Sequence, residues 1–189
     1  MELPILSFAT PNDLATWIGQ QPADTAGAWL KLAKKGSTRP GISYDEALTV
    51  ALCLGWIDGQ RKGFDDDCWL QRFTPRRVRS RWSEINRTRA IALIDAGEMR
   101  PQGQLEVDRA KADGRWEAAY AGARTMTVPD DLQAALDANP AAQSFFDTLD
   151  GTNRYAVLYR VHDAKRAATR SQRIEKFVSM LADGQKLHP

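Results

Sequence analysis

GWIDGQRKGFDDDCWLQRFTPRRVRSRWSEINRTR, residues 55–89, carries three of the six tryptophans (Trp56, Trp69, Trp82), a triple aspartate and an arginine-dense tract. Two runs rich in aromatic and β-branched residues, Trp56–Phe64 and Cys68–Thr74, flank Asp65-Asp66-Asp67 and predict a β-hairpin. With the three aspartates as the whole loop, Phe64 faces Cys68. The same register sets Asp58 beside Thr74, Gln60 beside Arg72, and Trp56 near Arg76. Opposed residues share a face, so one face is expected to collect Trp56, Asp58, Gln60, Lys62, Arg72 and Thr74. The other face, with Ile57, Trp69 and Phe73, is the expected core side. A slip of one residue exchanges the two. Ser83 then offers a cap for a helix running to about Ala96, which Gly97 stops.

The helices to either side have equally local signals. Thr10-Pro11-Asn12-Asp13 supplies a hydroxyl cap, a proline at the first helical position and an acid in the first turn. Ala28–Lys35 alternates as a short strand. Ser43-Tyr44-Asp45-Glu46 is a capping box ahead of the apolar run Ala47–Leu54, and Gly55 fits the left-handed stop. Pro101 opens a helix that ends near Gly114, and Trp116–Tyr120 forms a last turn on this unit. After the link Ala121–Thr125, helices are expected from Pro129, from Asn139-Pro140, and from caps at Thr152 and Thr169. The last carries Ile174, Phe177, Val178 and Leu181 on one face. The expected fold is α+β: residues 1–121 as a helical unit with a small antiparallel sheet of about three strands, and residues 126–187 as an all-helical module.

Composition excludes some functions. Lys and Arg total 26 against 24 Asp and Glu, a net charge of +2, which is no footprint of a tail-driven nucleic-acid binder. Residues 1–14 have no basic segment followed by an apolar one, so no secretory signal is expected. No apolar run nears the roughly 20 residues that cross a bilayer. A cytoplasmic protein without membrane insertion is expected. Cys53 and Cys68, with no CxxC and no nearby histidine, read as free thiols, and neither a metal nor a cofactor is expected. Three adjacent acids at a hairpin tip lack the spacing of a calcium loop.

Arginine chemistry dominates what remains. Arg72, Arg76 and Arg77 can grip a phosphate or carboxylate through the planar guanidinium. The helix that starts at Ser83 adds free amides and a positive dipole end, with Asn86 and Arg89 one turn apart on it. Together with Trp56, Asp58, Gln60, Thr74 and Trp82 they form the expected site for a small anionic ligand. A plainer alternative makes Arg72–Asp58 a structural ion pair and Arg76–Arg81 a solvated loop. A second alternative lays the Arg76–Arg89 tract along a nucleic acid, joined by Lys165, Arg166, Arg170, Arg173 and Lys176. A third makes Asp58 the acid/base of a small enzyme. Neither histidine, His162 or His188, stands in a known catalytic motif, and no catalytic residue is assigned.

The motifs GWIDG (Gly55–Gly59), LQRFTPRR (Leu70–Arg77), SxWSxxNxxR (Ser80–Arg89) and AKADGRW (Ala110–Trp116) resemble the bacterial YdeI/OmpD-associated family, also labelled bacteriocin-protection proteins. Ala164-Lys165, Thr169-Arg170 and Arg173-Ile174 are similar to that family's terminal helical module, although Ala168 stands where many members have an acid. The resemblance spans most of the chain. It implies a part in bacteriocin or envelope-stress protection and carries over no catalytic residue. A direct contact with a porin, which the family name implies, is not expected of a chain without an export signal.

Overall fold

The computed structural model describes residues 2–189, which form two units that divide between Tyr120 and Ala121. The first holds β1 (Ile5–Leu6), α1 (Pro11–Gly19), β2 (Ala28–Ala33), α2 (Tyr44–Cys53), β3 (Trp56–Gly63), β4 (Cys68–Pro75), α3 (Glu84–Asp95) and α4 (Pro101–Ala112). The fold is α+β. Thr10 caps α1 reciprocally with Asp13, Ser43 caps α2 with Glu46, and Ser83 Oγ accepts from Asn86 N at the start of α3. Each cap uses residues within one helical turn, which is why the sequence predicts these starts correctly.

The sheet has four strands rather than about three, in the order β1-β2-β4-β3. β1 is parallel to β2, so the sheet is mixed. Two residues are too few to show any periodicity, and β1 exists only because β2 offers it an edge.

The hairpin corrects the expected register. Arg61 pairs with Gln71, Lys62 with Leu70 and Gly63 with Trp69, as the three-aspartate loop requires. A bulge between Asp58 and Arg61 then sets Gly59 and Gln60 against Arg72 alone, so Asp58 faces Phe73 rather than Thr74, and Trp56 faces Pro75. Gln71, almost fully buried, donates its side-chain amide to Gly59 O at 2.8 Å, filling the bond that the bulge takes from the ladder. Trp56 and Asp58 thereby join Phe73 on the helix-covered face. Ile57 turns to the opposite face with Arg72 and Thr74.

Leu14 and Ile18 of α1, Leu30 and Leu32 of β2, the α2 run Ala47, Leu48, Ala51 and Leu52, Trp56, Phe73, Trp82 and Trp116 make one core. The aspartate loop is a closed turn. Asp65 Oδ1 accepts from the amides of Asp67 and Cys68, and Lys31 and Arg39 pair with Asp65 and Asp67. Cys53 and Cys68 are free thiols.

The second unit contains α5 (Asp130–Asp137), α6 (Pro140–Asp147), α7 (Gly151–His162) and α8 (Ala167–Ala182). Two caps differ from expectation. Asp150, not Thr152, caps α7, because its carboxylate reaches Asn153 N; Arg166 precedes α8 without a side-chain cap, and Thr169 lies inside the helix. Helices of eight residues are marginal alone, and these are held by a core of Leu132, Leu136, Phe146, Val157, Val161, Ile174, Phe177 and Leu181. Among the described residues, no helix is long and apolar enough to cross a membrane.

Arg170 ties three of these helices together. It forks onto Asp131 of α5 at 2.5 and 2.7 Å, and its third donor reaches Val161 O at the end of α7 at 2.9 Å. Arg170→Ala is expected to cost this unit about 1–2 kcal/mol, reduced from a fully buried pair because both groups are partly solvated. The hydrogen bond from Arg170 holds the Asp131 carboxyl below its ordinary value of 3.8. Its stabilisation is therefore present above about pH 4 and drains as pH falls further. Thermal denaturation of wild type and Arg170→Ala should show a gap at pH 7 that narrows below pH 4.

Candidate functional site

The end of α1, the Gly55 turn, the end of β4 and one face of α4 enclose a cleft of about 410 Å³. Gln102, Leu105, Glu106 and Arg109 line it at the i, i+3, i+4 and i+7 spacing of one helical face. Ile18, Leu54 and Trp56 give it apolar walls. Gly55 has φ of +75°, and a Cβ there would lie 2.9 Å from Gln102 O and 3.3 Å from Glu106 Cγ. Only glycine both takes the left-handed turn and lets α4 approach this closely. Gly55 O also accepts from Arg76 N at 2.9 Å, so the turn locates the end of β4 as well.

Arg76 is the unusual group in this wall. It is 7% exposed, and its guanidinium carbon lies 3.5 Å from the centre of the Trp82 ring. Nη1 donates to Arg81 O at 3.2 Å, whereas Nε and Nη2 are covered by protein and have no hydrogen-bond partner. These two nitrogens form one edge of the fork, the edge that meets a carboxylate or phosphate with two parallel bonds. Burial pulls its pKa down to about 10, with Glu106, Asp58 and Tyr120 pulling the other way. It is thus charged at neutral pH, and an incompletely bonded buried cation is costly. Trp82, 1% exposed, meets Trp116 edge-on at 4.8 Å, and Trp82 O accepts from Tyr120 N at 3.0 Å.

Glu106 is 8% exposed, and its Oε1 accepts from Arg109 Nη1 at 2.6 Å. Neither α4 residue was expected at a site. The signal in the sequence is that Glu106 falls on the buried stripe Gly103, Glu106, Val107 and Ala110, where an acid needs a partner.

The residues expected at the site are divided by the fold. Trp56 and Arg76 line the cleft, and Trp82 backs Arg76. Asp58 accepts from Tyr44 Oη at 2.8 Å and from Asn86 Nδ2 at 3.4 Å, joining α2, β3 and α3. Burial first, and Asp58 second, push the Tyr44 hydroxyl above its ordinary range, so it remains a donor. The Asp58–Arg72 ion pair of the plainer alternative does not form, because the bulge sets them on opposite faces; Arg72 donates instead to Ala26 O at 3.2 Å. Thr74 lies on that far face, and Gln60 is exposed in the bulge. Arg77 is exposed, and Ser83 spends its hydroxyl on the α3 cap. Arg89 pairs with Asp45 at 2.5 Å, and Arg87 donates to Trp116 O at 3.0 Å. The Arg76–Arg89 tract is therefore shared between core, internal bonds and solvent rather than laid out as one cationic face. In the second unit, Arg170 and Arg173 are likewise bonded to Asp131 and Arg160 O.

A family model described as a domain of unknown function (DUF8412) matches residues 6–106, more than half of the 189 residues. The chain belongs to the DUF8412 family. A second model, described as bacteriocin-protection, YdeI or OmpD-associated, matches residues 125–184. The resemblance to the YdeI/OmpD-associated family thus holds for the helical unit, whereas the hairpin motifs that first carried it lie in the DUF8412 match. Every residue lining the cleft except Arg109 falls within the DUF8412 match. Neither a curated protein nor a solved structure matches the chain.

Proposed function

We propose that the DUF8412 unit binds a small anionic ligand in the cleft between the Gly55 turn and α4, with Arg76 as its anchor. The second unit, matched by the bacteriocin-protection model, would link that binding to protection against bacteriocins or envelope stress. The observation that carries the reading is the Arg76 guanidinium: buried, charged, stacked on Trp82, and with one full edge of its fork unpaired. Arg76 lines the cleft, and Nη1, bonded to Arg81 O at 3.2 Å, is the one guanidinium nitrogen with a hydrogen-bond partner among the described residues. Arg109, half exposed at the cleft mouth, supplies the second cation. A volume of about 410 Å³ fits a metabolite-sized ligand.

The test is a thermal-shift panel of phosphate, sulfate, acetate and larger carboxylates. Sulfate and phosphate stabilise most proteins by exclusion from the surface, so the informative quantity is the difference between variants. At about a hundred times Kd, a ligand of the folded state adds about 2.7 kcal/mol, a rise of several degrees in Tm. That rise should be lost in Arg109→Ala and reduced in Arg76→Lys, which keeps the charge without the fork. Arg72→Ala, on the other face of the sheet, should retain it. Equal shifts in all four proteins, or none with any anion, would refute the reading.

A further inference from the structure

We infer that the cleft is built for a ligand of the amino-acid type, its carboxylate held by Arg76 and Arg109, its ammonium by Glu106, and its side chain against Trp56. This rests on the anion-binding reading of the same cleft and narrows it.

The reason is the acid. A receptor for a simple anion gains nothing from a carboxylate that is 8% exposed in its wall, since it repels the ligand and offsets one of the two cations. Glu106 is only half used by the protein. Oε1 accepts from Arg109 at 2.6 Å, while its second oxygen has no protein donor among the described residues. That second oxygen keeps contact with solvent rather than being sealed in protein, so it is open to a ligand donor. Gln21 adds a second acceptor to the lining: its side-chain nitrogen is tied to Trp17 O at 3.0 Å, which leaves its amide oxygen for a donor. The cleft is thus lined by Arg76, whose covered Nε and Nη2 lack a partner, and by acceptors on Glu106 and Gln21, with Ile18, Leu54, Trp56 and Leu105 as apolar walls. A small molecule that answers all three features carries an anionic head, a cationic N–H group and an apolar substituent.

Two matched pairs test this by calorimetry on the full chain: leucine against 4-methylpentanoate, and phenylalanine against 3-phenylpropanoate. Each pair differs only in the amino group. The wild type should bind at least one amino acid about tenfold more tightly than its deaminated partner, the worth of one charge-assisted hydrogen bond. Glu106→Gln, which preserves shape, should bring that ratio to about one while the deaminated acid binds as well as before or better. Arg109→Ala should weaken all four. Circular dichroism of each variant checks that it is folded. If both deaminated acids bind as tightly as the amino acids, the amino-acid assignment fails and the anion reading stands. If the ratio is unchanged in Glu106→Gln, the assignment of Glu106 fails. If no carboxylate binds and the inorganic anions give no variant-dependent shift, both fall.

Discussion

Trp82→Ala is expected to lower the stability of the first unit by about 3–5 kcal/mol, the range for deleting a fully buried tryptophan. For a unit of this size that is a fall of roughly 10–20 °C in Tm. Three losses add up. A cavity opens where a 1%-exposed indole sat; Trp116 loses its edge-on neighbour at 4.8 Å; and the Arg76 guanidinium loses the ring it stacks on at 3.5 Å. The last is the most specific, because it leaves a buried cation without its principal contact. Trp82→Phe separates the contributions. It keeps a flat ring beneath Arg76 and removes the indole N–H, which is buried without an acceptor, so it should recover most of the lost stability. Thermal denaturation followed by near-ultraviolet circular dichroism reads both variants. A loss under about 1 kcal/mol in Trp82→Ala would contradict its place at the centre of this packing.

Gly103→Ala should also destabilise, against the local preference of the chain. In an isolated helix the change is favourable by about 1 kcal/mol. Here a Cβ would lie 2.5 Å from both Leu52 O and Cys53 O, and as close to the Met99 sulfur. The carbonyls belong to the last turn of α2 and cannot move without shifting the helix. Overpacking of this kind costs about 1–3 kcal/mol, enough to reverse the sign. Displacing α4 also moves Gln102, Leu105, Glu106 and Arg109 away from the Gly55 turn, so the anion-dependent Tm shift should fall with the stability. Gly151→Ala, at the start of α7 with nothing within 4 Å of a built Cβ, is the control and should be neutral or mildly stabilising. Equal behaviour of the two alanine variants would mean that α4 does not rest on Gly103.

Most of the fold is legible residue by residue, and the site is not. The starts of α1, α2 and α3, the stops at Gly55, Gly97 and Gly114, and both ends of the hairpin follow from residues within four positions of one another. Where a nearer competitor exists, local reading selects the wrong one: Asp150 outcompetes Thr152 as the cap of α7. The crowding of arginines at the end of the hairpin is legible in the sequence. Of the residues expected at the site, Trp56, Arg76 and Trp82 do converge, while Arg72 and Thr74 belong to another surface.

By itself, the sequence determined most of the helix starts in the first unit, and that residues 55–89 form a hairpin followed by a capped helix with arginines crowded at its junction. Only the tertiary structure decided which of these arginines lines the cleft. The bulge at Gly59 and Gln60 depends on a side-chain bond from Gln71, twelve residues away, and that single extra residue turns Trp56 and Asp58 to the covered face. Glu106 and Arg109 reach the cleft because two glycines, Gly55 and Gly103, let α4 lie against the end of α2. Local caps and turns are decided by neighbours in the chain; the face of a strand and the partner of a buried charge are decided by neighbours in space.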